Sequence, residues 1–113
     1  MHELSIAENL SEIVIEVAEK EKLSKVTRVN VSFGKMVQII PEFFETAFRA
    51  AVAGTIANDA EINIEEVPVT IRCNNCNLEM TLDEYNFVCE RCGSSDIDIV
   101  TGRELYVKSI EGE

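Results

Sequence analysis

Three features of the sequence together predict an α+β fold with a metal-bound insert. Apolar residues recur every three or four positions over residues 4–21, side chains alternate over 26–33, and all four cysteines fall into two Cys-x-x-Cys pairs. The first pattern is that of a helix with one buried face and the second that of a half-buried strand. The third is that of a tetrathiolate zinc site. The expected architecture is a small sheet with two helices forming one domain, plus an inserted zinc ribbon held by the four cysteines.

Each element has its own local reason. Leu4, Ala7, Leu10, Val14, Val17 and Ala18 lie on one face of the first helix. Glu3 and Glu8 come early and Lys20 and Lys22 late, which matches the helix macrodipole. In the strand, Thr27, Val29, Val31 and Phe33 are expected on one side, with Arg28, Asn30 and Ser32 on the other. Gly34-Lys35 ends it, and Met36 to Ile40 reads as a short second strand. Pro41 opens a second helix, where its missing N–H costs nothing. Phe44, Ala47, Phe48 and Ala51 supply that helix's apolar stripe, and Gly54 is its stop. Asn58-Asp59 turns the chain into Ala60–Glu66, where Ile62 and Ile64 alternate with polar residues. Val69 and Ile71 lead to the first cysteine pair. Ile97–Val100 and Leu105–Val107 follow the second, flanking a turn at Thr101-Gly102-Arg103, and Glu111-Gly112-Glu113 reads as a tail.

This order places residues 1–67 with a returning strand 104–113 in one α+β domain, and residues 68–103 in a zinc-ribbon domain. The links at Val67-Pro68 to Cys73 and at Thr101 to Glu104 are expected hinges. Exchange of the ribbon between protomers of a homodimer is one arrangement they allow.

Cys73/Cys76 and Cys89/Cys92 are separated by twelve residues, enough for a short hairpin that returns the second pair to the first. Iron in a rubredoxin-like centre would use the same ligands, so spacing alone does not name the metal. A redox dithiol needs one pair beside a β-α-β pattern, and neither pair has that setting. With four thiolates and no neighbouring histidine, the set is closed, as in structural rather than catalytic zinc sites.

Composition narrows the class further. At 113 residues the chain builds a modest core. Twenty-one acidic against ten basic residues give a formal charge of −11, which repels phosphate backbones and disfavours a nucleic-acid role. Metal-type cysteine spacing implies a reducing compartment. The first residues lack the apolar core of a signal peptide, and no apolar run reaches membrane-spanning length. A cytoplasmic protein without membrane contact is expected. The single histidine, at residue 2, excludes Ser-His-Asp and Cys-His constellations, so the chain does not read as an enzyme.

That histidine has a second meaning. Met1 is expected to be retained because His2 is bulky, leaving a free amine followed by His2 and Glu3. The Met1 amine and the His2 amide nitrogen close a five-membered chelate ring, and the same amide with the imidazole Nδ1 closes a six-membered one. The Glu3 amide or carboxylate, or an outside group, takes the fourth position. Nitrogen donors in a plane suit Ni²⁺ or Cu²⁺ rather than tetrahedral zinc. The plain alternative is that Met-His-Glu merely precedes the first helix.

Taken together, these motifs resemble the HypA-type hydrogenase nickel-incorporation proteins, nickel metallochaperones of [NiFe]-hydrogenase maturation. The resemblance begins at Met1-His2-Glu3-Leu4-Ser5 and runs through Val31-Ser32-Phe33-Gly34. It continues at Pro41-Glu42 with Phe44, Ala47, Phe48 and Gly54-Thr55, then the two cysteine pairs, and closes at Gly102-Arg103-Glu104-Leu105. It implies a nickel-binding α+β domain with Met1, His2 and Glu3 as nickel ligands, and a structural zinc on Cys73, Cys76, Cys89 and Cys92. It further implies nickel transfer to the hydrogenase large subunit with a nickel-handling GTPase as partner, and in some relatives service to urease. Two departures stand out. A further acidic ligand of some relatives has no counterpart at Val37 to Pro41, where Glu42 is the nearest carboxylate. The histidines that some relatives carry beside the cysteine pairs are absent. The alternative function is an acidic zinc-ribbon interaction adaptor without nickel.

Overall fold

The computed structural model describes residues 3–82 and 86–113. Helix α1 spans Glu3–Lys20, strand β1 Val26–Gly34 and helix α2 Pro41–Val52. Strands β2 (Glu61–Val67), β3 (Val69–Cys73), β4 (Glu79–Leu82), β5 (Ile97–Thr101) and β6 (Leu105–Gly112) follow. They form two three-stranded sheets, β2-β1-β6 and β4-β3-β5. The first is mixed: β1 pairs in parallel with β2 and antiparallel with β6. A parallel neighbour demands a crossover, and α2 supplies it.

Both helices cover one face of the first sheet. Ile6, Ala7, Leu10, Val14 and Ala18 of α1 meet Phe44, Phe48 and Val52 of α2 over Val29, Val31 and Phe33 of β1, all in one buried cluster. Phe33 meets Phe44 edge-on, with ring centroids 4.7 Å apart, the arrangement that aromatic quadrupoles favour. The other face is polar. Arg28 pairs with Glu61 at 3.0 Å and Lys108 with Glu65 at 3.0 Å, while Asn63, Asn30 and Ser109 hydrogen-bond across the strands. A sheet wetted on one side in this way requires the alternation seen in the sequence.

α1 and α2 run in the same direction. The start of α1 meets the start of α2, where the Ile40 N–H donates to Glu3 Oε1 at 3.4 Å. Further along, Ser11, Glu12, Ile15 and Glu16 of α1 share a cleft with Ala51 near the end of α2.

Several expectations need correction. Thr27 is exposed rather than facing the core, because the β1–β6 register shifts between Val26 and Arg28; its hydroxyl donates instead to the Glu111 carbonyl. Lys35–Val37 is a turn of 3-10 helix, not a strand. Met36 donates its N–H to the Gly102 carbonyl at 3.0 Å and Gln38 turns into the left-handed region at φ 58°, so the segment bends across the ribbon's return path. Glu111 and Gly112 are not a tail. They extend β6, and Glu113 exchanges backbone hydrogen bonds with Ser24 and Lys25. Val69–Cys73 is no hinge, since β3 is the centre of the second sheet and pairs on both sides.

The two sheets are joined at one tight corner. Gly34 donates to the Glu104 carbonyl at 2.7 Å, the Gly102 N–H is held by the Glu104 carboxylate at 2.7 Å, and the Thr101 hydroxyl donates to the Pro68 carbonyl at 2.8 Å. A Cβ at Gly34 would fall on the backbone carbonyl of Gly102. Backbone cannot yield as a side-chain tip does, so Gly34→Ala is expected to lower stability by roughly 1–3 kcal/mol, the usual cost of overpacking. Denaturant unfolding followed by circular dichroism measures this, and an unchanged midpoint would mean that the crossing relaxes freely.

Candidate metal centre

The two Cys-x-x-Cys segments are built alike. In the first, the Cys73 carbonyl accepts from Asn77 N–H at 2.8 Å and the Cys73 N–H donates to Leu78 O at 2.8 Å. In the second, the Cys89 carbonyl accepts from Gly93 N–H at 2.8 Å and the Cys89 N–H donates to Ser94 O at 2.9 Å. Each turn is closed by a residue of positive φ directly after its second cysteine, Asn77 at 61° and Gly93 at 75°. Glycine and asparagine are the residues that tolerate this conformation. The turns are tied together where Asn74 donates its backbone N–H to Asp96 O at 2.9 Å and its side-chain amide to Asp96 Oδ1 at 3.1 Å.

This brings all four sulfurs to one point. Cys73 and Cys92 lie 3.6 Å apart, as do Cys76 and Cys89, and all four Sγ atoms fall within 4.8 Å of one another. Four thiolates around Zn²⁺ at ~2.3 Å would be separated by about 3.8 Å along each tetrahedron edge. The donor set therefore fits a tetrahedral thiophilic ion without rearrangement of the chain. Cys73 and Cys89 are buried, Cys76 is half-buried and Cys92 is exposed.

The surroundings distinguish the thiols. The Asn75 side-chain amide donates to Cys92 Sγ at 3.5 Å. That bond, aided by the Ser94 N–H, lowers the Cys92 thiol to about 6. Cys89 is lowered chiefly by the Cys92 N–H, with help from Arg91. Cys76 moves the other way, to about 11. The Leu78 N–H is the largest single influence on Cys76 and lowers it, but burial and hydrogen bonding with Cys89, Cys73 and Cys92 together outweigh that bond. Cys92 and Cys89 therefore ionise more readily than Cys76.

The sequence alone did not single out Asn75, Asn74 or Asp96 as supports of the cluster. Asn75 lies between two ligands, and a polar residue inside a knuckle was the available signal. Of the residues expected to hold nickel, Glu3 is the first residue of α1 and its carboxylate lies at the entrance of α2. Met1 and His2 lie outside the described residues. Glu42 occupies the first turn of α2, two residues beyond Ile40. The four cysteines are thus brought together, and Glu3 lies apart from them on a different sheet's helix layer.

A family model described as hydrogenase/urease nickel incorporation, metallochaperone, hypA matches residues 1–112. The chain belongs to the HypA family. It is 38% identical over 112 residues to the hydrogenase maturation factor HypA of Desulfatibacillum aliphaticivorans, covering 98% of this chain and 86% of the relative. It is 34% identical over 113 residues to that of Moorella thermoacetica, covering the whole of both. The solution structure of the Ni metallochaperone HypA from Helicobacter pylori superposes with a TM-score of 0.71 at 28% identity, over 99% of this chain and 97% of that one. The family is one of nickel incorporation in hydrogenase maturation, and its four-cysteine cluster in this chain is a metal-binding group. Among the described residues no helix is long and apolar enough to cross a membrane.

The thiol environments fix a pH dependence for metal loading. Binding a cation requires four thiolates, so Cys76, at about 11, releases a proton near neutrality, whereas Cys92, at about 6, is already ionised there. Acid is therefore expected to weaken metal binding at the cluster, and more steeply below about pH 6, where Cys92 also holds a proton. Competition titrations with a chromophoric chelator between pH 5 and 8 should show this steepening; a pH-independent affinity would contradict it.

Proposed function

We propose that this chain is a nickel metallochaperone that binds Ni²⁺ at Met1, His2 and Glu3 and delivers it to the [NiFe]-hydrogenase large subunit during maturation. Cys73, Cys76, Cys89 and Cys92 hold a structural zinc. The observation that carries this reading is that the family match begins at residue 1, on Met-His-Glu, while the four cysteines form a cluster of their own. One region offers nitrogen donors and the other a complete sulfur set, and these suit different metals.

The local structure is consistent with a terminal chelate. Glu3 is the first residue of α1, and the first N–H groups of an α-helix have no intrahelical acceptor. Displacing an amide proton there breaks no helical hydrogen bond. A terminal chelate also gives up one donor at a time, so a partner's ligands can replace them in turn without free nickel being released. Four thiolates around zinc are too tight a set for that duty, because structural zinc affinity is also folding free energy.

In this reading residues 1–67 and 104–113 are the nickel-binding domain and 68–103 the ribbon. The pairing of β6 with β1, and the separate sheet of β3, β4 and β5, support that division. The partners are a nickel-handling GTPase and the hydrogenase large subunit, the setting is cytoplasmic, and the chain carries out no catalytic step of its own. Homodimer formation belongs to the same proposal, with the corner at Gly34 and Gly102 as the place where a ribbon would exchange.

Nickel titration of tag-free, zinc-loaded protein, followed by the visible absorption of bound Ni²⁺, tests it. One saturable site is expected, lost in His2→Ala with zinc content unchanged. An extension before Met1 should abolish or reroute binding, since it removes the amine from its chelate ring. Acid should release the metal as the imidazole, near ~6.5, and the amine, near ~8, take up protons. Equal binding by both proteins, or none by either, would favour an acidic zinc-ribbon adaptor instead.

A further inference from the structure

The helix layer turns one face to the sheet and the other to solvent, and the solvent face is grooved. Glu12 and Glu16 of α1, with Ser11 and Ile15, line a cleft of about 310 Å³ against Ala51 of α2. Residues four apart are neighbours along a helix surface. The row through Glu12 and Glu16 therefore extends back to Glu8 and Leu4, and the row through Ala51 extends back to Ala47 and Phe43. The starts of the two helices meet at Ile40 and Glu3, so the two rows flank one groove along the helix pair. The small side chains of Ala47 and Ala51 keep it open.

The groove is apolar at one end and acidic along one wall. Leu4 is 58% exposed and Phe43 60%, with Ile40 beside them at 45%. Large apolar side chains gathered on one surface mark an interaction site, unlike single ones scattered over it. Beyond them Glu8, Glu12 and Glu16 are exposed, and none of them belongs to an ion pair among the described residues. Like charges four apart destabilise a helix, so this row carries a cost that cations from outside would remove.

We propose that the groove receives an amphipathic α-helix of a partner protein. A large apolar side chain of that helix sits between Leu4 and Phe43, and Lys or Arg residues at four-residue spacing face Glu8, Glu12 and Glu16. A helix is the matching shape because its own four-residue rise, ~6 Å, equals that of the carboxylate row, and amphipathic helices enter apolar grooves through such rows. A second copy of this chain does not fit. Its helices α1 and α2 offer one cation each, Lys20 and Arg49, and Arg49 is held by Glu45. The formal charge of −11 adds repulsion between copies. Docking here needs no bound nickel and stands apart from the nickel reading.

The test uses the zinc-loaded, nickel-free chain and a fluorescein-labelled peptide of about eighteen residues, long enough to form a helix. The peptide carries a leucine stripe with three lysines beside it, each four residues from the next. Fluorescence anisotropy gives its Kd at low and moderate salt, and amide NMR shifts locate it. Binding that weakens with salt is expected, with shifts at Glu12, Ile15 and Ala47. Phe43→Ser should weaken it about tenfold or more, as loss of an apolar anchor does. Glu8→Gln combined with Glu12→Gln should weaken it roughly three- to tenfold. Glu66→Gln with Glu79→Gln removes as many carboxylates from other surfaces and should leave it within about a factor of two. All five of these side chains are exposed, so the variants keep the fold. Absence of binding, shifts confined to other surfaces, or equal losses in the two glutamate pairs would overturn the proposal. So would a dimer of the chain, seen by sedimentation velocity, that Phe43→Ser dissolves, because a second copy would then fill the groove.

Discussion

β1 is the strand on which the molecule depends, because it must accept both the strand that follows α2 and the last strand of the chain. Pairing with β2 requires a helical crossover, and that crossover creates the buried layer of α1 and α2 on a single face. Pairing with β6 requires the chain to return from the ribbon to the sheet it left, which closes contacts between residues some eighty positions apart. Both ribbon links consequently meet β1 at its end, where Gly34 passes against Gly102 with no room for a side chain. The corner is thus a product of topology: a sheet interrupted by an insert must bring exit and return to neighbouring strands, and only glycine permits backbones so close.

The ribbon meets a different constraint. Among the described residues the ribbon buries only Val69, Ile71, Cys73 and Cys89 as apolar core, too little apolar surface to hold a module of this size by itself. A bound cation supplies what the core lacks. Four thiolates within 4.8 Å of one another repel, so the sulfurs resist simultaneous ionisation. A divalent ion removes that repulsion and ties the two knuckles together. A metal bound here would add its binding free energy to the folding of this module.

The separation of metal roles that the proposed function assigns would follow from the same physics. Closed thiolate sites gain stability from enclosure, and enclosure opposes transfer. A terminal chelate of amine, amide and imidazole nitrogens is open to a partner and sensitive to acid. Under the proposed function, distributing these demands over two regions would let one metal hold the structure while the other is passed on.

Much of this was determined by sequence alone. Helical and strand periodicities located α1, β1 and α2 because their faces are unequally wetted, and such patterns are local. The four cysteines announced their cluster because a tetrahedral site imposes its own spacing. Whole-chain similarity placed the chain in its family. Other features were decided only by tertiary structure. Thr27 turned outward because of a bulge against β6, and Met36 joined a 3-10 turn because its N–H found Gly102. The final residues became strand because Glu113 found Ser24 and Lys25. The bond from Ile40 to Glu3 spans thirty-seven positions. Each of these depends on a partner distant in the chain, and no local pattern of residues encodes the position of such a partner.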